Sequence, residues 1–521
     1  METAKTKIYK LLSGFNKLKW SLALKGILCG LVAGLLAVFY RMGIEYGTVT
    51  ATNIYKFLRF HPVWIFVWVI CIAAAGLFLS WLVKLEPMAS GSGIPQTEGV
   101  VLFGLKMKWY TILVVRFVGG ILCGFFGLSL GREGPSIQIG ASGGQIVSKV
   151  TSKKNRLEEN YLITGGAAAG LAAAFNAPLS GMVFALEEVH RSFSPLILVS
   201  ATAASLSADI VSKHFFGLKP VLSFTTLPQL PITLYFWLIP LGIVSGLVGS
   251  LITKSLLGFQ TLYNKLPAFV RPCIALLIAL RCGMFLPLTI GGGQGLIKFA
   301  ESAKSGIALI AILLVVKLLF TSTSFGSGVP GGIFMPILSV GALSGSLLGL
   351  IAVRFGLPVQ YVPDFAVCAM AGALSSSVKA PITSILLTAE MAGSLVHMLP
   401  VAACSFIALL LSDLLKIDPI YESLLERYVE KNRDSLPIQQ KGGLMEIPVE
   451  YGCDIAGKMV CDINWPQGTL IVGLRRGTRE LVPQGSTKIL PGDYLVVLFT
   501  KESENGIQER ITRLCHPRTG P

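Results

Sequence analysis

Apolar runs long enough to cross a bilayer alternate with short polar breaks along most of this chain. They fall at residues 22–40, 63–83, 112–130, 161–186, 234–251 and 307–320. The pattern predicts an all-α polytopic membrane protein. Residues 1–20 set lysines among Ile8, Leu11, Leu12, Phe15 and Leu18. This amphipathic stretch reads as a helix lying on the membrane surface, with a helical lead-in to the first span as the alternative. The pattern changes at residue 446. Short β-rich runs at 447–449, 469–474 and 494–499 are separated by turns such as Pro491-Gly492-Asp493, and 502–514 has helical character. A small cytoplasmic α+β domain is therefore expected over 446–521. A polar linker, 433–445, joins it to a membrane domain over 21–432.

Helix-breaking residues recur inside the apolar sequence. Ala89-Ser90-Gly91-Ser92-Gly93-Ile94-Pro95-Gln96 is either a polar loop between spans or irregular backbone beside a water-filled path. Pro95 suits a helix start, where its missing N–H would be unpaired in any case. Gly131-Arg132-Glu133-Gly134-Pro135 follows the run 112–130, and 137–150 suits a helix opening at that turn. A glutamate so deep in apolar sequence is a functional-site candidate; an Arg132–Glu133 ion pair that makes a buried turn tolerable is the plainer reading. Residues 164–178 are dense in glycine and alanine, which lets helices pack closely in lipid. They lead to Glu187-Glu188, a solvated helix end or a proton access point.

The second half repeats the punctuation. Gly326-Ser327-Gly328-Val329-Pro330 echoes Gly91-Ser92-Gly93-Ile94-Pro95, and Ala380-Pro381-Ile382-Thr383 echoes Ala177-Pro178-Leu179-Ser180. Glu187 and Glu390 each lie nine residues beyond the corresponding proline. Interrupted helices at matching places in two halves, roughly 21–215 and 229–415, point to a transporter with its site between inverted repeats.

Composition agrees. The 521 residues are 53% hydrophobic and 14% charged, where a soluble protein is nearer a quarter charged. The net charge is +16, and residues 443–521 hold nine basic and nine acidic side chains, so the surplus lies in 1–442. Much of it flanks the spans: Lys5, Lys7, Lys10, Lys17 and Lys19 before the first, Lys416, Arg427, Lys431 and Arg433 after the last. The positive-inside rule then puts both termini in the cytoplasm. A nucleic-acid partner would need a soluble basic face, which this distribution does not offer. The ten cysteines lie mostly inside apolar runs without metal-ligand spacing, and the five histidines are isolated, so no metal or other cofactor is expected. No catalytic constellation points to an enzyme.

The membrane portion resembles the CLC family of chloride channels and chloride/proton antiporters. The motifs that carry the likeness are Gly91-Ser92-Gly93-Ile94-Pro95, Gly131-Arg132-Glu133-Gly134-Pro135 and Gly331-Gly332-Ile333-Phe334-Met335-Pro336, with residues 172–188 and Tyr421. The resemblance covers roughly 20–427 in family order. It implies a homodimer in a plasma membrane, such as a bacterial inner membrane, each subunit holding its own anion path. It implies a central chloride held at Ser92, Ile333, Phe334 and Tyr421, and an outer site built from the backbone of Gly131, Arg132 and Gly134. It makes Glu133 the gate and Glu188 the internal proton-transfer residue. Glu188 together with Tyr421 favours an antiporter over a voltage- or pH-gated chloride channel of the same fold. Gln96 stands where many relatives carry glutamate. The tail is similar to the C-terminal domain of regulators of potassium conductance (RCK-C) through Gly457-Lys458, residues 470–477, Pro483-Gln484-Gly485 and Pro491-Gly492-Asp493-Tyr494-Leu495. A small regulatory ligand, self-association or a purely structural role are the readings open for it.

Overall fold

Glycines and prolines inside apolar sequence break what would be long spans into paired half-length helices. The computed structural model describes residues 2–152, 156–218, 220–222, 228–302, 306–431, 442–450, 452–476, 479–500 and 504–515. The chain divides into two units, Met1–Asn432 and Arg433–Pro521.

The first half of unit one is built from α1 (Glu2–Phe60), α2 (Trp64–Leu85), α3 (Ile94–Phe103), α4 (Trp109–Phe125), α5 (Glu133–Thr151), α6 (Arg156–Phe175), α7 (Pro178–Phe184) and α8 (Pro195–Phe216). The second half follows the same order with α9 (Leu238–Asn264), α10 (Val270–Phe285), α11 (Gln294–Glu301), α12 (Ile307–Gly326), α13 (Phe334–Val353), α14 (Val362–Val378), α15 (Pro381–Ala392) and α16 (Met398–Leu414). A last helix, α17 (Ile420–Lys431), closes the unit. Among the described residues, eight helices are long and apolar enough to cross a membrane. Stripes of exposed apolar residues, such as Leu24, Leu28, Leu31 and Leu35 on α1, suit contact with lipid.

The repeat is real, but one echo read from the letters is misplaced. Ahead of α3, a short 3₁₀ turn (Pro87–Ala89) leads to Gly91 and Gly93, with φ of 61° and 95°. Ahead of α11, the turn Pro287–Thr289 leads to Gly291 and Gly293, with φ of 66° and 103°. The counterpart of 91–95 is therefore 291–295, whereas 326–330 follows α12 as 126–130 follows α4. What the fold demands at this corner is two left-handed residues, which glycine adopts freely. The flanking serine and proline are not needed for it. The other echo holds: Asn176 (φ 54°) and Lys379 (φ 64°) turn the chain into α7 and α15. The apolar run 161–186 is thus not one span but α6, a turn at Asn176, and α7.

Small residues do what the sequence suggests. A Cβ on Gly140 of α5 would lie 2.9 Å from the Gly170 Cα of α6, and one on Gly341 of α13 would lie 2.9 Å from the Met370 Cα of α14. At the N-terminus, the backbone is helical without a break from Glu2, so the lead-in reading replaces a separate surface helix; the side chains of 1–17 lie outside the described residues.

Unit two holds a four-stranded antiparallel sheet in the order β1 (Gly442–Pro448), β4 (Asp493–Thr500), β2 (Thr469–Arg476), β3 (Arg479–Leu481), with α18 (Glu504–Cys515). Most of the predicted linker lies outside the described residues. The core gathers Ile447, Leu474, Leu495, Val497, Phe499 and Ile511. Cys515 is buried there, and desolvation pushes its thiol up to about 12, as an inert apolar filler requires.

Candidate functional site

Three breaks in the helices of unit one meet at one point. Gly131 N–H donates to the Gly332 carbonyl and Gly332 N–H to the Gly131 carbonyl, both at 2.7 Å. Gly91 N–H donates to Val329 O at 3.2 Å, and Gly331 N–H to Gly91 O at 3.0 Å. These bridges set the starts of α5 and α13 against each other. A Cβ on Gly134 would sit 2.5 Å from Ser92 Oγ and 2.6 Å from Ser92 O, so only glycine lets the loop before α3 lie against the first turn of α5. Backbone N–H groups at such helix starts lack intrahelical partners and favour an anion.

The side chains predicted for the site converge here. Ser92 and Tyr421 are buried and close neighbours, yet neither hydroxyl has a partner at hydrogen-bond distance among the described residues. Tyr421 stacks on the Phe334 ring, with centroids 6.4 Å apart and planes at 14°. Its helix, α17, is fastened to α9 by Arg427, which donates to Leu257 O at 2.9 Å and to Gln260 Oε1 at 3.0 Å. Ile333 and Phe334 are buried where α13 opens. Glu133 is 1% exposed, and its carboxylate interacts with its own N–H and that of Met335, in the first turn of α13. Its Oε2 has no hydrogen-bond partner among the described residues.

Glu188 lies in a π-helical turn, Ala185–Val189, that ends α7. It is buried, its Oε1 has no hydrogen-bond partner among the described residues, and charges acting on it come from Glu98, Arg191, Glu187 and Glu422. Tyr421 feels both Glu188 and Glu133. The Glu187-Glu188 pair divides its work. Glu187 accepts from Ile382 N–H (3.2 Å), Thr383 N–H (2.8 Å) and Thr383 Oγ1 (2.7 Å), capping α15. Glu390 caps α7 in return through Leu179 N–H (3.2 Å), Ser180 N–H (2.8 Å) and Ser180 Oγ (2.5 Å). The plainer reading of Arg132 needs a different partner: its Nη1 pairs with Glu45 of α1, not with Glu133.

Several residues at the site escaped the sequence reading. Arg116, fully buried in α4, donates to Gly91 O (2.6 Å) and to Gln138 Oε1 (2.5 Å), and Gln138 donates to Met88 O (2.9 Å). Together they fix the Ser92 loop from behind, with Gln96 reaching Ser90 O at 3.0 Å. Lys317 of α12 does the same for the second repeat, donating to Thr289 O (2.9 Å) and Gly291 O (2.7 Å). A lone basic residue inside each apolar run was the available signal. Among the described residues, no cluster of His, Cys, Asp and Glu could hold a metal ion.

Residues 73–413 match the voltage-gated chloride channel family. The chain belongs to this family, the CLC proteins. It is 33% identical over 440 residues to the H(+)/Cl(-) exchange transporter ClcA of Vibrio cholerae, covering 80% of this chain and 92% of that one. The ClcA of Cronobacter sakazakii is 33% identical over 445 residues, covering 82% and 94%. The structure of a slow cyanobacterial Cl-/H+ antiporter superposes with a TM-score of 0.73 at 29% identity, covering 79% of this chain and 99% of that one. A eukaryotic CLC transporter shares the fold at 20% identity, with a TM-score of 0.64 and coverage of 78% and 73%. The CLC portion is a multi-pass integral membrane protein. Residues 444–512 match the TrkA-C domain, the RCK-C type of tail.

Proposed function

We propose that this chain is a proton-coupled chloride antiporter, exchanging chloride for protons through a path within each subunit. The reading is carried by one observation: the Glu133 carboxylate lies on its own N–H, at the start of α5, and on the Met335 N–H, in the first turn of α13, donors that an anion would otherwise use. Carboxylate and chloride compete for the same donors. Protonation removes the carboxylate's charge and its hold on the site, and chloride takes its place. Chloride arriving therefore displaces a side chain that leaves with a proton, which couples the two flows.

The central chloride rests on the Ser92 and Tyr421 hydroxyls and the N–H groups of Ile333 and Phe334. Two buried hydroxyls without partners among the described residues suit such a guest, because a buried donor left unpaired is costly. Glu188 relays protons from the cytoplasm, past Tyr421, to Glu133. The relatives named as H(+)/Cl(-) exchangers support antiport. The site is complete within one chain, which suits a homodimer of independent paths. The basic flanks support a reading with both termini in the cytoplasm. The tail binds a small ligand or a second copy of itself.

The test is proton movement in vesicles under an imposed chloride gradient. Wild type should drive protons uphill. Glu188→Gln should keep chloride flux and lose proton movement; intact coupling in that variant would sink the relay.

A further inference from the structure

We propose that Glu45, with Arg41 and Arg132, forms the anion entrance on the Glu133 side of the path, and that Glu45 sets how strongly this entrance draws chloride. The proposal rests on the antiporter reading and concerns the mouth of that path.

Arg132 directly precedes Glu133, and its side chain is 5% exposed. Nη1 pairs with Glu45 Oε1, while Nε and Nη2 are buried without a partner among the described residues. The same Glu45 oxygen accepts from Arg41 Nε at 3.2 Å. Arg41 is itself held in place: Nη1 donates to Asn176 Oδ1 at 2.9 Å, and its guanidinium lies 3.7 Å from the centre of the Phe216 ring. Of the three, only Glu45 is well exposed, at 39% of its side chain. The charges acting on it are Arg132 and Arg41, and both of these also act on Glu133.

Two guanidiniums and one carboxylate leave one net positive charge beside the gate. Buried N–H groups without a partner are expensive, so their presence points to a partner that comes and goes. A halide approaching Glu133 has the right charge and is mobile. Glu45 then has two effects. It occupies one face of Arg132, and it lowers the local positive potential so that chloride is drawn in without being trapped. Arg132 is too buried to be reached without this exposed carboxylate giving way.

The experiment is chloride influx into vesicles holding the full-length protein, as a function of external chloride. Glu45→Gln should lower KM about two- to fivefold with kcat little changed, the size expected for one exposed charge. Glu45→Asp should keep KM near the wild-type value. The Glu45→Gln shift should shrink when impermeant salt is added, because screening acts on exposed charge. Arg41→Gln tips the balance the other way and should raise KM about two- to fivefold. The proposal is overturned if Glu45→Gln and wild type share one KM, if added salt leaves the shift intact, or if Glu45→Asp shifts KM as far as Glu45→Gln. Should Glu45→Gln fail to fold, an unchanged KM in Arg41→Gln overturns it instead. The antiporter reading fails separately, when wild-type vesicles move no protons under a chloride gradient.

Discussion

Replacing Glu187 with alanine should loosen the membrane unit without stopping proton transport, while its neighbour Glu188→Gln should do the reverse. Glu187 accepts two backbone N–H groups and one hydroxyl at the start of α15. Without it, those N–H groups have no intrahelical partner. Loss of a capping side chain costs about 0.5–2 kcal/mol, and loss of a negative charge at a helix start a further ~0.3–1 kcal/mol. Glu187 is half-buried, so the lower part of the combined range applies, about 1–2 kcal/mol. That corresponds to a fall in Tm of roughly 2–6 °C for a large domain. Glu390→Ala removes the mirror-image cap on α7 and should cost a similar amount. Tryptophan fluorescence during thermal unfolding in detergent reads the first quantity, and vesicle proton flux the second. The reasoning is refuted if Glu187→Ala melts with wild type while losing proton coupling. That result would make Glu187 part of the relay and its contacts to α15 incidental.

Gly134→Ala should weaken chloride binding about tenfold or more, measured by titration calorimetry, because its methyl would press on Ser92 Oγ and O; unchanged affinity would show that the Ser92 loop yields freely. In the tail, Asp493 is 1% exposed and accepts from Arg476 Nε and Nη2 and from Leu490 N–H, each at 2.8 Å. Asp493→Asn should raise the rate of proteolysis within 442–515 about five- to thirtyfold, as a loss of 1–2 kcal/mol implies, and wild-type resistance would count against a structural role for the pair.

The sequence was informative where physics leaves few options. Long apolar runs marked several of the spans, and glycine-rich breaks at bilayer depth had to be buried or wet, so the outline of the membrane unit was legible, while the spans at 195–216, 334–353 and 359–378 and the division of 161–186 at Asn176 were not. In the tail, β2 and β4 were legible from their β-rich runs and flanking turns, β1 only at its end, and the short β3 not at all. What was not legible depends on distance in the chain. Nothing near Arg132 in sequence names Glu45, 87 residues away, as its partner. Nothing in Glu187-Glu188 says which carboxylate caps and which stays unpaired, because that depends on where α15 begins. The misplaced echo at 326–330 has the same origin. Matching letters were read as matching roles, while the conserved requirement was backbone geometry, which Gly291 and Gly293 satisfy with different neighbours.

The two repeats are symmetric in backbone and asymmetric in chemistry, and the proposed exchange draws on both. Gly131 and Gly332 exchange hydrogen bonds with each other, and Glu187 and Glu390 cap each other's repeat. Both contacts are self-complementary, as contacts across a two-fold axis must be. The axis brings helix starts from both repeats to one point and so supplies anion donors from two sides. Side chains then break the symmetry. The first residue of α5 is Glu133 and the first of α13 is Phe334; Ser92 is matched by Gly292. A second carboxylate at 334 would face Glu133 across the same donors, and two like charges there would oppose each other's ionisation. On the proposed mechanism, a single carboxylate leaves the shared donors to hold either chloride or Glu133, and that choice is what ties the exchange to protons.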